Sequence, residues 1–578
     1  MKQQKKVSIH LLAAALAVCL LLPLVGCGGR EPEPATEVER LSKLCRVWGY
    51  VKYTHPAFLL GERDWDEELL TLIPQVRELE TEQEVNALLH EWFMGLGEID
   101  YGTNKPVKFW AEAAAEDRLV ITDTAWTTDT EYLGEELAGD LGRLGEIPAI
   151  KRTKAPACSV TGGDVLYEFY QNETEPTGSC EDPAFRLLGL FRMWNAVEYY
   201  FPYLMLMDRD WESCLTEYIP PMLEGPDQWS YEQTLAACSA HLRDPHISIG
   251  GGELSSRVCG QYCLPAALTE AEGKLVVTDA AADGPLERGD VLVQINGVDI
   301  AAMAEERARY YACSREEAIL RFLLTSSPFF SRPLSRTEDI DILALRDGKE
   351  ISLSVKGETR EEYMAQGWTA LPQKSHRLLE GNIGLINPGV VPEDGAAAVM
   401  DQLRNTEGLI VDMRQYPDMA WSSLLPEYLI EETQPTVVLA RPSMAVPGTY
   451  VKTEVWRGYS PGYTRGVYYY HRPVVLLTDK STGSQGEFIT TICAAGEGVV
   501  TIGENTLGAD GDVYVLPLPG GLGLTLSSLG VYTVDGQLTQ RVGLTPDIPV
   551  SRTVQGIKEG RDELMEAAVE YIQKQSIK

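Results

Sequence analysis

One hydroxyl in this 578-residue chain stands where nucleophilic chemistry is easy to arrange. The run Val474-Val475-Leu476-Leu477-Thr478-Asp479-Lys480-Ser481-Thr482-Gly483-Ser484-Gln485-Gly486-Glu487-Phe488 reads as a buried strand, a polar loop and a helix that opens at Ser484. The first turn of a helix leaves its N–H groups without partners and carries the positive end of the helix dipole. A serine placed there lies beside the donors that an oxyanion requires. Ser484-x-x-Glu487 before an apolar run is equally a capping box, a structural motif with no chemistry attached. Both readings stand on the local pattern. A serine hydroxyl also needs a base within reach. Of the seven histidines, His246 closes a helical segment as Arg243-Asp244-Pro245-His246, and His471 precedes the strand that leads to Ser484, at its far end.

The segment that carries His246 is duplicated. Shifted by 146 positions, Trp48 falls on Trp194, Pro56 on Pro202, Trp65 on Trp211 and Pro74 on Pro220; residues 41–74 and 187–220 are identical at fourteen of thirty-four places without a gap. Each copy places apolar residues at helical spacing, then a Tyr/Pro turn, then a second helix beginning near the paired tryptophan. The register continues through Leu89 on Leu235 and Leu96 on Leu242, where the first copy has Gly97-Glu98-Ile99-Asp100 instead of an imidazole. The first copy therefore reads as scaffold and the second as the one put to use. The paired aromatic residues read as core.

Short strands follow from Leu264: Lys274 to Val277, and Gly289-Asp290-Val291-Leu292-Val293-Gln294-Ile295-Asn296-Gly297, which alternates and ends in an Asn-Gly turn. This is similar to the hairpin of PDZ domains, with Ile340 to Val355 as closing strands and Cys263-Leu264-Pro265-Ala266 in the place of the carboxylate loop. PDZ domains add a peptide as an extra strand and hold its C-terminus. From about Ser375, strands alternate with helices, the order of an α/β layered core with parallel pairing.

The chain starts with Lys2, Lys5 and Lys6, an apolar stretch from His10 to Leu24, and Leu24-Val25-Gly26-Cys27. That is the layout of a secretory signal, and its end resembles a bacterial lipobox with Cys27 as the lipidated residue. The expectation is an extracytoplasmic protein held to the membrane by a lipid. A net charge of -35 argues against nucleic acid as a partner. No Cys/His spacing suggests zinc, and neither metal nor cofactor is expected. Beyond Cys19 and Cys27, nine cysteines remain, an odd number; Cys158 with Cys180 and Cys259 with Cys263 are possible bridges.

A helical unit ending in Asp-x-His, a PDZ-like insert, an Asp-x-Arg strand end (Asp412-Met413-Arg414) and a Ser-x-x-Glu helix start, in that order, resemble the C-terminal-processing (tail-specific) and tricorn-core serine peptidases over roughly residues 181–560. The N-terminal copy extends the likeness to lipoproteins of that family with a doubled front. The resemblance implies Ser484 as nucleophile, and the backbone N–H groups of Gln485 and Asp418 as oxyanion donors. The Ser/Lys branch would have its lysine where Ala509 stands in Thr506-Leu507-Gly508-Ala509, and Lys480 reads as a solvated loop residue. The tricorn branch implies His246 as base. Pro245 replaces the serine expected beside that histidine, and Gln540 is the nearest counterpart of an acidic residue expected before Gly543-Leu544-Thr545-Pro546-Asp547. Asp412 and Arg414 would fix a loop, and Glu487 would cap the helix.

The expected organisation is multidomain α/β and α+β: a signal with lipobox (1–27), a first helical repeat (37–115), a connecting segment (116–180), a second repeat (181–258), a PDZ-like domain (259–360) and a ClpP/crotonase-like α/β peptidase core (361–578). The expected function is an extracytoplasmic serine endopeptidase acting on polypeptides, some held by their C-termini. The alternatives are a pseudopeptidase that binds extended peptides, for which Pro245, Gln540 and Ala509 speak, and a structural envelope protein.

Overall fold

The computed structural model describes residues 34–99, 112–145, 154–157, 172–324, 333–368, 374–444, 446–459 and 468–576, with the single residues 110 and 170. The signal stretch, Cys27 and Cys158 lie outside the described residues. The architecture is multidomain, with helical, antiparallel and α/β parts.

The helical repeat recurs at the same offset of 146, with one helix end shifted by a residue. Helix Glu37–Thr54 has its counterpart in Pro183–Tyr200, Trp65–Glu78 in Trp211–Glu224, and Glu82–Gly95 in Gln228–Ala240. Polar caps start each one: Thr36 and Thr81 in capping boxes, Asp64 on Asp66 and Glu67, Asp182 on Ala184 before a Pro at the first helical position, Asp210 on Ser213, and Asp227 on Ser230. The indole N–H of Trp48 donates to Trp65 O (2.8 Å), and that of Trp194 to Trp211 O (3.0 Å). Arg40 bonds Val76 O and Arg77 O, as Arg186 bonds Met222 O and Leu223 O.

The copies also exchange side chains as a two-fold pair would. Arg192 of the second unit pairs with Asp66 of the first, and Arg46 of the first pairs with Glu212 of the second at 2.8 Å. Where the first helices of the two units cross, only one side chain fits. Asn195 Nδ2 donates to Cys45 O (3.0 Å) and Phe191 O (2.9 Å), and a Cβ at Gly49 would lie 1.7 Å from Asn195 Oδ1.

The connecting segment is built into both neighbours. Arg118–Val120 pairs with Thr449–Val451 at the edge of an antiparallel sheet, and Glu173 is buried between Lys52 (2.5 Å), Arg192 (3.3 Å) and the Trp65 N–H (3.0 Å). Strands Ala266–Ala271, Lys274–Ala280, Val291–Ile295, Asp339–Arg346 and Lys349–Lys356 form an antiparallel sheet closed by helix Ile300–Ala308, with a core of its own. Its hairpin turns at Asn296 (φ 50°) and Gly297 (φ 75°), the positive φ pair that an Asn-Gly turn supplies. Cys259 and Cys263 carry free thiols, so the bridge considered between them is not formed.

The α/β core is a six-stranded sheet in the order 376–379, 383–386, 408–412, 474–478, 499–503, 548–549, parallel except for its first pair. Val474–Thr478 is buried on both faces, as a central parallel strand must be. Its alternate residues feed two cores: Val474 and Leu476 with Ile489 and Ile492 of helix Gln485–Ala494, and Val475 and Leu477 with Leu564, Ala568 and Ile572 of helix Glu563–Ser576.

Gly49→Ala is expected to lower stability by about 1–3 kcal/mol, the usual cost of overpacking. Thermal unfolding checks this, and adding Asn195→Ala to Gly49→Ala should restore much of the loss. A Gly49→Ala protein as stable as wild type would refute the close approach.

Candidate active site

Ser484 sits at the turn from strand to helix with φ 52° and ψ -125°, a backbone conformation a non-glycine residue adopts only where its surroundings hold it. Two neighbours hold it. Its N–H donates to Ala509 O (2.6 Å), and a Cβ at Gly483 would lie 2.6 Å from Leu507, so the loop 506–509 presses directly on the turn. The Ser484 side chain makes no cap hydrogen bond to the helix. The capping-box reading is therefore not realised, and the hydroxyl is not committed to the helix.

Glu487 does not reach back to the Ser484 N–H as a capping residue would. It is buried, and its carboxylate takes the Thr506 hydroxyl, the Gly508 N–H (2.7 Å) and the Ala509 N–H (2.8 Å). Burial pushes this carboxyl up to about 7, while those three donors and nearby His246 pull it down. Glu487 thus anchors the loop that in turn sets the turn at Ser484.

His246 leaves the helical unit in a turn, two residues before a short strand. Ser248–Gly250 pairs antiparallel with Gly523–Thr525. Continuing that register by two residues sets His246 opposite Ser527, and His246 Nδ1 lies 3.2 Å from Ser527 Oγ. The same nitrogen lies 3.1 Å from Asp244 Oδ1, a carboxylate that also accepts the His246 backbone N–H (3.0 Å). Burial raises the Asp244 carboxyl, but His246 and Ser527 outweigh it and hold it below its ordinary value. With Nδ1 turned to these partners, Nε2 is the nitrogen left for a proton from substrate chemistry. Among the described residues no hydrogen bond joins His246 to Ser484; such bonds commonly tighten only with substrate bound.

Asp244 is the residue that sequence reasoning missed, although it stood in the Asp-x-His motif. Gln540, taken as the counterpart of the orienting acid, accepts the Asp510 N–H instead (3.0 Å) and stabilises the loop beyond Ala509. Asp418 does not serve as an oxyanion donor in this structure: its N–H goes to Pro388 O (2.8 Å) and its carboxylate caps its own helix at Ala420 (2.8 Å). The Gln485 N–H, at the first position of its helix, stays without a helical partner. Lys480 is partly exposed and also pairs with Glu270 of the antiparallel β part. Arg414 does fix its loop, through Asp412 (2.7 Å) and Asp562 (2.8 Å). In the stretch set against a PDZ carboxylate loop, Pro265 has no N–H and Ala266 donates to Leu264 O (2.7 Å).

Among the described residues no group of three or more His, Cys, Asp or Glu could hold a metal ion. None of the described helices is long and apolar enough to cross a membrane.

Residues 392–550 match the model of peptidase family S41. No curated protein matches the chain. Among solved structures, mature CPAF complexed with lactacystin is similar at a TM-score of 0.51 and 14% identity, covering 68% of this chain and 98% of that one. The photosystem II D1 C-terminal processing protease is similar at a TM-score of 0.38 and 14% identity, covering 66% and 98%. The tricorn protease is similar at 0.35 and 14%, covering 68% of this chain and 37% of that one. At these identities the likeness to CPAF speaks for the fold.

Two predictions rest on this geometry. Ser484→Gly should be more stable than Ser484→Ala by about 1 kcal/mol, because glycine adopts the positive φ without penalty; denaturant unfolding measures it, and equal stability would remove the strain. For Glu487, a folded value near 7 against an ordinary 4.5 means that folding favours the protonated form. Its contribution is complete below about pH 4.5 and is lost as pH rises through about 7. Relative to Glu487→Gln, the wild type should lose stability across that window and change little above it, as read from unfolding midpoints against pH.

Proposed function

We propose that this chain, whose residues 392–550 match peptidase family S41, is an extracytoplasmic serine endopeptidase of the C-terminal-processing type, working through an acyl-enzyme on Ser484 with His246 as base. Ser484 Oγ attacks the carbonyl carbon of a peptide bond while its proton passes to His246 Nε2. The oxyanion that forms is held by the Gln485 N–H and the positive end of its helix. When the tetrahedral species collapses, the proton on His246 goes to the leaving amine. Water then repeats the sequence on the acyl-enzyme, restoring Ser484. Asp244 keeps the imidazole in the tautomer that this exchange needs.

One observation carries the reading. A single segment, 506–527, bonds the strained serine at Ala509 and the imidazole at Ser527, so both groups belong to one unit of structure. The antiparallel part, PDZ-like in its hairpin, is suited to holding an extended segment of substrate. Lipidation at Cys27 would keep the enzyme at the membrane surface.

The commitment of the Asp418 N–H to Pro388 favours a second reading, a peptide-binding relative with weak turnover. Losing one oxyanion donor costs about 10²–10³ in kcat.

A fluorophosphonate should label the wild type, and Ser484→Ala should abolish both labelling and cleavage of an unstructured polypeptide. Asp244→Asn should keep the fold and lower kcat by about 10³–10⁴, as loss of the orienting carboxylate does in serine triads. Cleavage that survives Ser484→Ala removes the proposal; saturable peptide binding without turnover in the wild type selects the second reading.

A further inference from the structure

The duplication supplies an internal comparison at a place far from the proposed chemistry. In the first unit, Lys52 lies with its ammonium 4.8 Å from the centroid of the Trp48 ring and 5.5 Å from that of Trp65. Glu173, brought in by the connecting segment, closes over it at 2.5 Å, and Arg192 pairs with Asp66 alongside. All four charged side chains are buried, and the place is full.

Adding 146 to each number of the first unit gives the second version. Trp48 becomes Trp194, Trp65 becomes Trp211 and Asp66 becomes Glu212, with Arg46 in the role of Arg192. Lys52 becomes Glu198. The sign of the central charge is reversed, and the place is a cavity of about 360 Å³, within the range of small-molecule sites. Trp126 from the connecting segment forms a further wall.

The other charges lining this cavity are engaged. Arg46 pairs with Glu212 (2.8 Å) and lies 4.8 Å from the Trp126 ring centroid. Arg209 pairs with Glu217 (2.6 Å). The Asp123 carboxylate takes the Ala125 N–H (2.8 Å), and that of Asp210 takes the Ser213 N–H (3.1 Å). Among the described residues the Glu198 carboxylate has neither hydrogen bond nor ion pair. Burial pushes it up to about 7, with Arg46 pulling the other way. The side chain is partly exposed on the cavity wall, and a carboxylate so far withdrawn from water is costly unless a cation completes it.

We propose that this cavity binds an organic ammonium group of the size of a lysine side-chain end, its charge against Glu198 and its methylenes between Trp194 and Trp211. The first unit shows the same tryptophan pair around an ammonium, supplied there by Lys52. In the second unit the carboxylate is the chain's own and the cation comes from outside. Aromatic faces and a desolvated carboxylate together select such a group over a neutral one. The source is either a free amine or a lysyl side chain on a polypeptide.

The site is tested by binding alone and does not depend on the proposed catalysis. The intact chain is titrated with Nα-acetyl-lysine methylamide, with n-butylamine and with the neutral Nα-acetyl-norleucine methylamide, followed by tryptophan fluorescence and calorimetry. Saturable binding of the two amines, with the norleucine compound at least about tenfold weaker, is expected. Tighter binding of the lysine compound than of butylamine points to a polypeptide source, the reverse to a free amine. Glu198→Gln should weaken amine binding by at least about tenfold without changing the far-ultraviolet circular dichroism. Glu198→Lys, which copies the first unit, should abolish binding in a folded protein. No saturable binding of either amine, equal binding of the norleucine compound, or undiminished affinity in a folded Glu198→Gln protein overturns the proposal.

Discussion

The buried carboxylate of Glu487 is the interaction on which the site depends. With no ion pair among the described residues, it is satisfied by a hydroxyl and two backbone N–H groups of residues 506–509. Three donors on one carboxylate leave that loop little freedom. The loop then returns the constraint to the helix from which Glu487 projects, because Ala509 O takes the Ser484 N–H. Helix start and loop define each other, and the positive φ at Ser484 persists because the closed circuit over-determines it.

The second constraint is a three-residue strand. The helical unit and the α/β core are distant in sequence, and Ser248–Gly250 joins them by extending the hairpin 513–527. In an antiparallel pair a slip of one residue would turn every side chain to the opposite face. The register is therefore what sets His246 against Ser527 rather than away from it. Asp244, two residues earlier, reaches the same ring nitrogen from the turn itself. Tyr203 adds a tie from the same unit, donating its hydroxyl to Asp510 O (2.7 Å).

The parts of this arrangement that the sequence made legible were local or repeated. The strand, loop and helix around Ser484 follow from apolar runs and polar breaks, and the duplication from a gapless match. Glu487 was misread because a capping box and a buried anchor share one spacing; only the partner three residues back, or twenty residues on, separates them. Asp418 was misread for a related reason. The path of 412–418 decides which N–H groups are free, and that path depends on Pro388, thirty residues upstream, which no local pattern announces. Asp244 was in plain view, but its value arises from the turn that folds it onto the imidazole. The exchanged arginines Arg46 and Arg192 were hidden as well, since the match marks them as identical without saying that each serves the other copy.

The asymmetry of the two units has a physical basis in that exchange. Because Arg46 and Arg192 cross over, each unit is held by its twin, and the pair keeps its packing while individual positions diverge. Only one side chain fits at the crossing of Gly49 and Asn195, so identity at the axis is excluded from the outset. Elsewhere the connecting segment decides the difference. It inserts Glu173 into the first unit, closing that charge cluster permanently, but contributes Trp126 as a wall in the second and leaves it open. The closed unit gives rigidity at the cost of burying four charges, a balance that holds only while all partners are present. The second unit, relieved of that requirement, is the one free to carry an imidazole at its exit and an unpaired carboxylate on the wall of its cavity.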